Sequence, residues 1–192
     1  MLFRSVWNEP DNANDSSYGK LEPKGKAELV LPKLAQVFAW LREVKPSQPL
    51  TSGVWKGDWT ADGKLSPMER CQLENSDVIS FHAYGNADGL SKRIASLRRY
   101  GRPILCTEYM ARPAGSTFDP NLGLMKKEGV AAYNWGFVSG KTQTIYPWDS
   151  WKTTYTAEPP VWFHDIFRTD GTPYLQKEVD YIRSVTGKAP AK

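Results

Sequence analysis

Two glutamates in this chain stand where carboxylate chemistry is commonly built, each closing a short apolar, β-prone run. Phe3-Arg4-Ser5-Val6-Trp7 leads through Asn8 into Glu9, and Pro103-Ile104-Leu105-Cys106-Thr107 leads into Glu108. In α/β chains the carboxyl ends of buried strands are the positions from which sites are assembled. Two carboxyls facing each other across one pocket, one acting as acid and one ionised, are the apparatus that cleaves glycosidic bonds. The competing reading gives each glutamate a purely structural task, capping the following helix or pairing with an arginine. The residues around them decide between the two.

Composition narrows the choice. The 192 residues suffice for one domain, 1–187, with a frayed tail at 188–192. Aromatic side chains are plentiful, with Trp 8, Tyr 9 and Phe 7, and sugar rings stack well on such faces, although most aromatic rings in any domain are core. The formal net charge of +4 is mild and its cations are scattered. Their one cluster, Ser91 to Arg99, carries apolar residues at helical spacing, so it reads as the wet face of a helix and excludes a nucleic-acid patch. Cys71 and Cys106 form neither a disulfide framework nor a metal spacing, and two histidines do not make a usual zinc site. Cys106 shares the strand face of Glu108 and reads as a buried free thiol. No metal and no cofactor is expected. No signal peptide or membrane-spanning run is visible, so the chain as written reads as cytoplasmic or as a truncated piece of a secreted parent.

The elements that must position the glutamates follow in order. A polar loop spans Asp11 to Lys26, and its Asn14-Asp15-Ser16 sequon carries little weight without a secretory signal. Leu31, Leu34, Ala35, Phe38 and Leu41 mark a helix over Ala27–Lys45 that Pro46 ends. Pro49 to Trp55 is a second strand, followed by a loop carrying Trp59. Ser66-Pro67-Met68-Glu69 has the form of a capping box with proline at the first helical position. Asp77 to Tyr84 is a third strand, Leu90 to Tyr100 a helix, and Ile104 to Tyr109 the fourth strand. A weaker helix over Leu122–Glu128 and a fifth strand over Gly129–Val138 come next. A long aromatic loop then holds Trp148, Trp151 and Trp162 before a last helix, Tyr174–Val185. Alternating helices and continuous apolar strands predict an α/β fold with a parallel sheet.

Asn8-Glu9-Pro10, His82-x-Tyr84, Glu108 and Trp135, all at strand ends and in this order, form a constellation. It resembles the retaining (β/α)8-barrel glycoside hydrolases of the clan that holds family 5 cellulases, β-mannanases and β-glucosidases. There an Asn-Glu ends the fourth strand, His-x-Tyr the sixth, a nucleophilic glutamate the seventh and a tryptophan the eighth. The stretch Phe167 to Pro173 is similar to the turn opening the last barrel helix. The resemblance covers strands four to eight and leaves the first three without counterpart, so it implies a partial, half-type barrel of about five parallel strands.

What the resemblance implies is specific. Glu9 would be the acid/base and Glu108 the nucleophile of a retaining β-glycosidase that hydrolyses β-linked glucosides or glucans by double displacement. Asn8 would bind the sugar 2-hydroxyl, Tyr84 would hydrogen-bond Glu108, His82 would order this shell, and Trp135 would form the floor under the sugar. Trp59, Trp148 and Trp151 are possible further sugar platforms. The alternatives are a catalytically silent carbohydrate-binding remnant or a fragment completed by another chain. Open barrel edges predict a homodimer, with a β-linked carbohydrate as the other partner and neither nucleic acid nor membrane.

Overall fold

The computed structural model describes residues 3–187; the frayed tail expected at 188–192 lies outside the described residues. The chain forms two compact units, one built from the residues up to His82 with Ala95–Leu105, the other from Ala83–Ile94 with the residues from Cys106 on.

In the first unit β1 (Arg4–Ser5) and β2 (Leu50–Thr51) pair in parallel, with Arg4 opposite Leu50 and Ser5 opposite Thr51. The ladder extends through the Val6 N–H, which donates to Thr51 at 2.7 Å. Beyond β2 the chain stays extended to Val54, which pairs in parallel with Phe81 of β3 (Ile79–His82). The Ile79 N–H then reaches Pro103, just before β4 (Ile104–Glu108). The strands thus neighbour one another in chain order, and all four residues of β3 are buried. The predicted runs at 3–7 and 49–55 are longer than the strands that form, because the ladder bonds cover only part of each.

A short helix α1 (Asp15–Tyr18) lies in the first loop, ahead of α2 (Lys26–Val44). Helix α2 buries Val30, Leu34 and Phe38 at intervals of one turn, against Leu50 and Met68. It stops where Lys45 turns left-handed before Pro46. The predicted capping box opens α3 (Pro67–Asn75): the Ser66 hydroxyl accepts from the Glu69 N–H and the Glu69 carboxylate accepts from the Ser66 N–H. Trp59 departs from its expectation as a sugar platform. It is only 2 % exposed, its indole N–H donates to the Lys56 carbonyl, and its ring meets Phe81 edge to face, so no sugar can stack on it.

Helix α4 (Ala87–Leu97) leads back to β4, which passes from the first unit into the second. There the Ala83 N–H donates to the Glu108 carbonyl at 2.9 Å, and the Tyr133 N–H to Cys106 beside β5 (Ala131–Ala132). The order β3-β4-β5 forms a three-stranded sheet, so with the β1-β2 pair this α/β fold has five parallel strands in two sheets linked by the Val54–Phe81 bridge, as in part of a (β/α)8 barrel. The fifth strand is far shorter than the expected 129–138 run. Gly136 is left-handed at φ 93, and a Cβ there would lie 2.7 Å from the Asp165 carboxylate and 2.9 Å from the His164 Cβ, so the chain must bend past that segment. Extended pairing resumes only at Val138, opposite Phe167. Helix α5 begins earlier than expected, at Phe118, and runs to Lys127 against α6 (Gln176–Thr186). Gly123 permits that approach: a Cβ there would stand 2.6 Å from the Tyr181 hydroxyl.

Candidate active site

In the first unit, Glu9 follows β1 in a left-handed backbone conformation, φ 41, that a residue with a Cβ adopts only when its surroundings hold it. Its carbonyl accepts from the Asn12 N–H at 3.0 Å, closing a turn. The preceding Trp7 carbonyl accepts from the buried Ser52 hydroxyl at 3.0 Å, which fixes the end of the run to β2. Just past Glu9, Asp11 accepts from the Trp55 indole N–H and pairs with Lys56. The Glu9 side chain is thereby aimed at β3. Its Oε1 lies 2.6 Å from His82 Nδ1, and its Oε2 accepts from Asn12 Nδ2 at 2.5 Å. His82 is almost wholly buried and Glu9 retains a small exposed area. Asn8 is exposed beside it.

In the second unit, Glu108 ends β4 and is buried. Its Oε2 accepts from the Tyr84 hydroxyl at 2.8 Å, the bond that the family resemblance implies. Cys106, on the same strand, is a free, fully buried thiol, and burial pushes its pKa well above the ordinary range, so it stays protonated and inert. The Tyr84 ring packs at 5.0 Å against Trp148 and at 5.7 Å against His164. His164 Nδ1 lies 2.5 Å from the Met110 carbonyl, an acceptor, so that nitrogen carries the proton and Nε2 accepts from the Trp148 indole N–H at 3.2 Å. Burial lowers the His164 pKa, with the charge of Arg112 adding to the effect, so the neutral tautomer is the favoured one.

The long aromatic loop is closed at its base by two backbone bonds, Phe163 to Ile145 and His164 to Thr144. Arg112 clamps its return: the guanidinium donates to the carbonyls of Trp162 and Asp165, makes two bonds to the Glu178 carboxylate, and stands over the Tyr174 ring. Trp135, which follows β5, is half exposed, and Trp151 is exposed in the short turn Trp148–Trp151.

The structure therefore brings Glu9 together with His82, and Glu108 together with Tyr84. Asn12 and His164 are absent from the expected set. Asn12 lies three residues beyond Glu9, the distance at which a turn returns a short polar side chain to its start. No local signal marks His164, whose role depends on a tryptophan sixteen residues away.

Comparison with known proteins gives the family. A family model described as the glycosyl hydrolase catalytic core matches residues 5–121, more than half of the chain. The chain belongs to that family. Among solved structures it is similar to a glycoside hydrolase family 5 mannosidase from Rhizomucor miehei, with a TM-score of 0.46 and 14% identity over 82% of this chain and 48% of that one. A mutant of that mannosidase gives a TM-score of 0.46, 13% identity and coverages of 82% and 47%. A second mutant, in complex with mannosyl-fructose, gives 0.43, 14%, 82% and 48%. The chain spans about half the length of these structures. No curated protein matches it. Among the described residues no helix is long and apolar enough to cross a membrane.

Proposed function

We propose that the chain is a retaining β-glycosidase acting on β-linked glucosides or glucans, with Glu9 as acid/base and Glu108 as nucleophile. The observation that carries this reading is the way each carboxylate is held. His82 grips Glu9 and Tyr84 grips Glu108, and these two partners stand two residues apart at the end of one strand. A helix cap or a surface ion pair would not recruit a buried histidine and a tyrosine hydroxyl in this way.

In this reading Glu108 attacks the anomeric carbon while Glu9 protonates the departing oxygen. A covalent glycosyl-enzyme forms, and Glu9, now ionised, takes a proton from the water that cleaves it. The reaction calls for the two carboxyls to stand about 5–5.5 Å apart. The Tyr84 hydroxyl orients Glu108 and supports its negative charge before attack. Asn8 is assigned to the sugar 2-hydroxyl and Trp135 to the floor beneath the ring, with Trp148 and Trp151 as outer platforms. The test is hydrolysis of aryl β-glucoside, with aryl β-mannoside and β-xyloside alongside. Glu108→Gln should abolish turnover, and Glu9→Gln should abolish turnover of the unactivated phenyl glycoside, while sugar binding persists. Binding without any hydrolysis by the unaltered chain would instead support a silent carbohydrate-binding protein.

Self-association is part of the proposal. Among the described residues β1 has β2 as its one strand neighbour, and Leu29, Trp40 and Val44 lie exposed along one side of α2. Covering them contributes at about 25 cal/mol per Å², most simply in a twofold dimer. Sedimentation that finds only a monomer at every concentration would exclude it.

A further inference from the structure

We infer that Asn12 is a positioning residue for Glu9, and that Lys26 holds Asn12 in place; the inference rests on the acid/base role proposed for Glu9. Four observations within the first unit lead to it. Asn12 binds Glu9 twice, through its backbone N–H to the Glu9 carbonyl at 3.0 Å and through Nδ2 to Oε2 at 2.5 Å. Glu9 is left-handed, so without that turn its backbone would relax toward an ordinary region and swing the carboxyl away. Each carboxyl oxygen has its own partner, Oε1 the His82 ring and Oε2 the Asn12 amide, which fixes the plane of the group and not merely its position. Finally, the Asn12 carbonyl accepts from Lys26 Nζ at 2.8 Å, and that ammonium pairs with the buried Glu22 carboxylate at 3.0 Å. Asn12 is thus anchored to the first turn of α2.

The chemistry benefits from this particular arrangement. An acid/base must present one oxygen to the leaving group and later to a water, in two charge states. A carboxyl oxygen has two acceptor directions. Asn12 and His82 occupy one direction on each oxygen, and the second direction on each can carry a proton or take one up. An amide N–H only donates, so the Asn12 bond persists whether Glu9 is charged or neutral. A lysine at position 12 would add a charge that favours the ionised form alone.

The experiment compares Asn12→Ala and the near-isosteric, uncharged Asn12→Leu, which keeps the bulk but lacks the donating N–H, using aryl β-glucosides of graded leaving-group ability. A dinitrophenyl glycoside leaves without an acid; a phenyl glycoside needs one. Loss of the oriented bond should lower kcat/KM for the phenyl substrate by about ten- to a hundredfold and for the dinitrophenyl substrate far less, with KM little changed. A merely structural lesion would lower both equally, and that result overturns the inference. Glu9→Gln is measured in parallel. If it loses the phenyl substrate while both Asn12 variants match the unaltered chain, the positioning role fails and the acid/base role stands. If Glu9→Gln keeps the phenyl substrate, or the unaltered chain hydrolyses nothing, both fail together. Should Asn12→Ala not fold, Asn12→Leu alone decides by the same ratio.

Discussion

Replacing Tyr84 by phenylalanine removes the hydroxyl that bonds Glu108, the proposed nucleophile. The hydroxyl donates to Glu108 Oε2 at 2.8 Å, a bond to a carboxylate that is itself buried. Bonds of this kind contribute about 1.5–3 kcal/mol, which corresponds to roughly a ten- to hundred-and-fifty-fold fall in rate. The ring should stay where it is, since its packing against Trp148 and His164 involves no hydroxyl. The loss should therefore fall on kcat with KM nearly unchanged, because the bond acts on the attacking group and not on the bound sugar. The assay is steady-state hydrolysis of an aryl β-glucoside, paired with a denaturant midpoint to show that the fold is intact. Unchanged turnover in a folded variant would refute the reasoning, since it would mean that Glu108 needs no help from Tyr84. A large rise in KM alone would also refute it, by assigning the hydroxyl to substrate.

Other substitutions probe the remaining parts. Glu108→Gly should abolish hydrolysis, and added azide should restore turnover of an activated β-glycoside with an inverted, α-configured product; a retained product would reverse the role assigned to Glu108. His164 has its pKa lowered from the ordinary 6.5, chiefly by burial. Its contribution to stability is complete above that value and is lost as pH falls through the lowered folded value, because the unfolded chain takes up the proton first. Denaturant midpoints should accordingly fall on acidification below about pH 6.5, less steeply in His164→Gln, and an unaltered slope in that variant would exclude His164 as the source. Arg112→Met would strip the buried Glu178 carboxylate of its partner and cost about 3–5 kcal/mol, read as a shift in the chemical denaturation midpoint; a loss below about 1 kcal/mol, the scale of an exposed pair, would show that the clamp is not holding.

The parts legible in the sequence are those set by local patterns. The strand-end glutamates announced themselves because an apolar, β-prone run halts at a charge, and the Ser66–Glu69 box because its bonds span only one turn. Tyr84 pairs with Glu108 as expected because the two lie at the ends of strands that are neighbours in chain order. The failures share a different cause. The run from Gly129 to Val138 has the composition of a strand, but the His164–Asp165 segment forces a bend at Gly136 that no residue nearby foretells. Trp59 lies among Lys56, Gly57, Asp58 and Thr60, a polar setting suggestive of exposure, yet its indole finds a backbone carbonyl and its ring finds Phe81. His164 acts through Met110 and Trp148, partners that only the folded chain supplies, so residue type and spacing do not single it out; Asn12 carries a local signal, its place three residues past Glu9, that becomes meaningful only once a turn there is established.

The closure of the aromatic loop has a consequence for how such a chain changes over time. Residues 149–161 leave and return at points fixed by the bonds between 144–145 and 163–164 and by the Arg112 clamp. Doubling the length of a loop whose ends are already fixed costs only about 0.6 kcal/mol. None of those anchoring bonds involves a side chain from the stretch itself; Glu158, which accepts from the Trp162 indole and pairs with Arg168, and Tyr155, which packs on Tyr146, are tied down, and the other positions behave as a replaceable cassette. Insertions or shuffled sequences there would reshape what approaches Trp148 without disturbing β4 or the carboxylate that ends it. Drift in nature and libraries in the laboratory should both find this the cheapest place to exchange one preference for another, while position 112 stays closed to change.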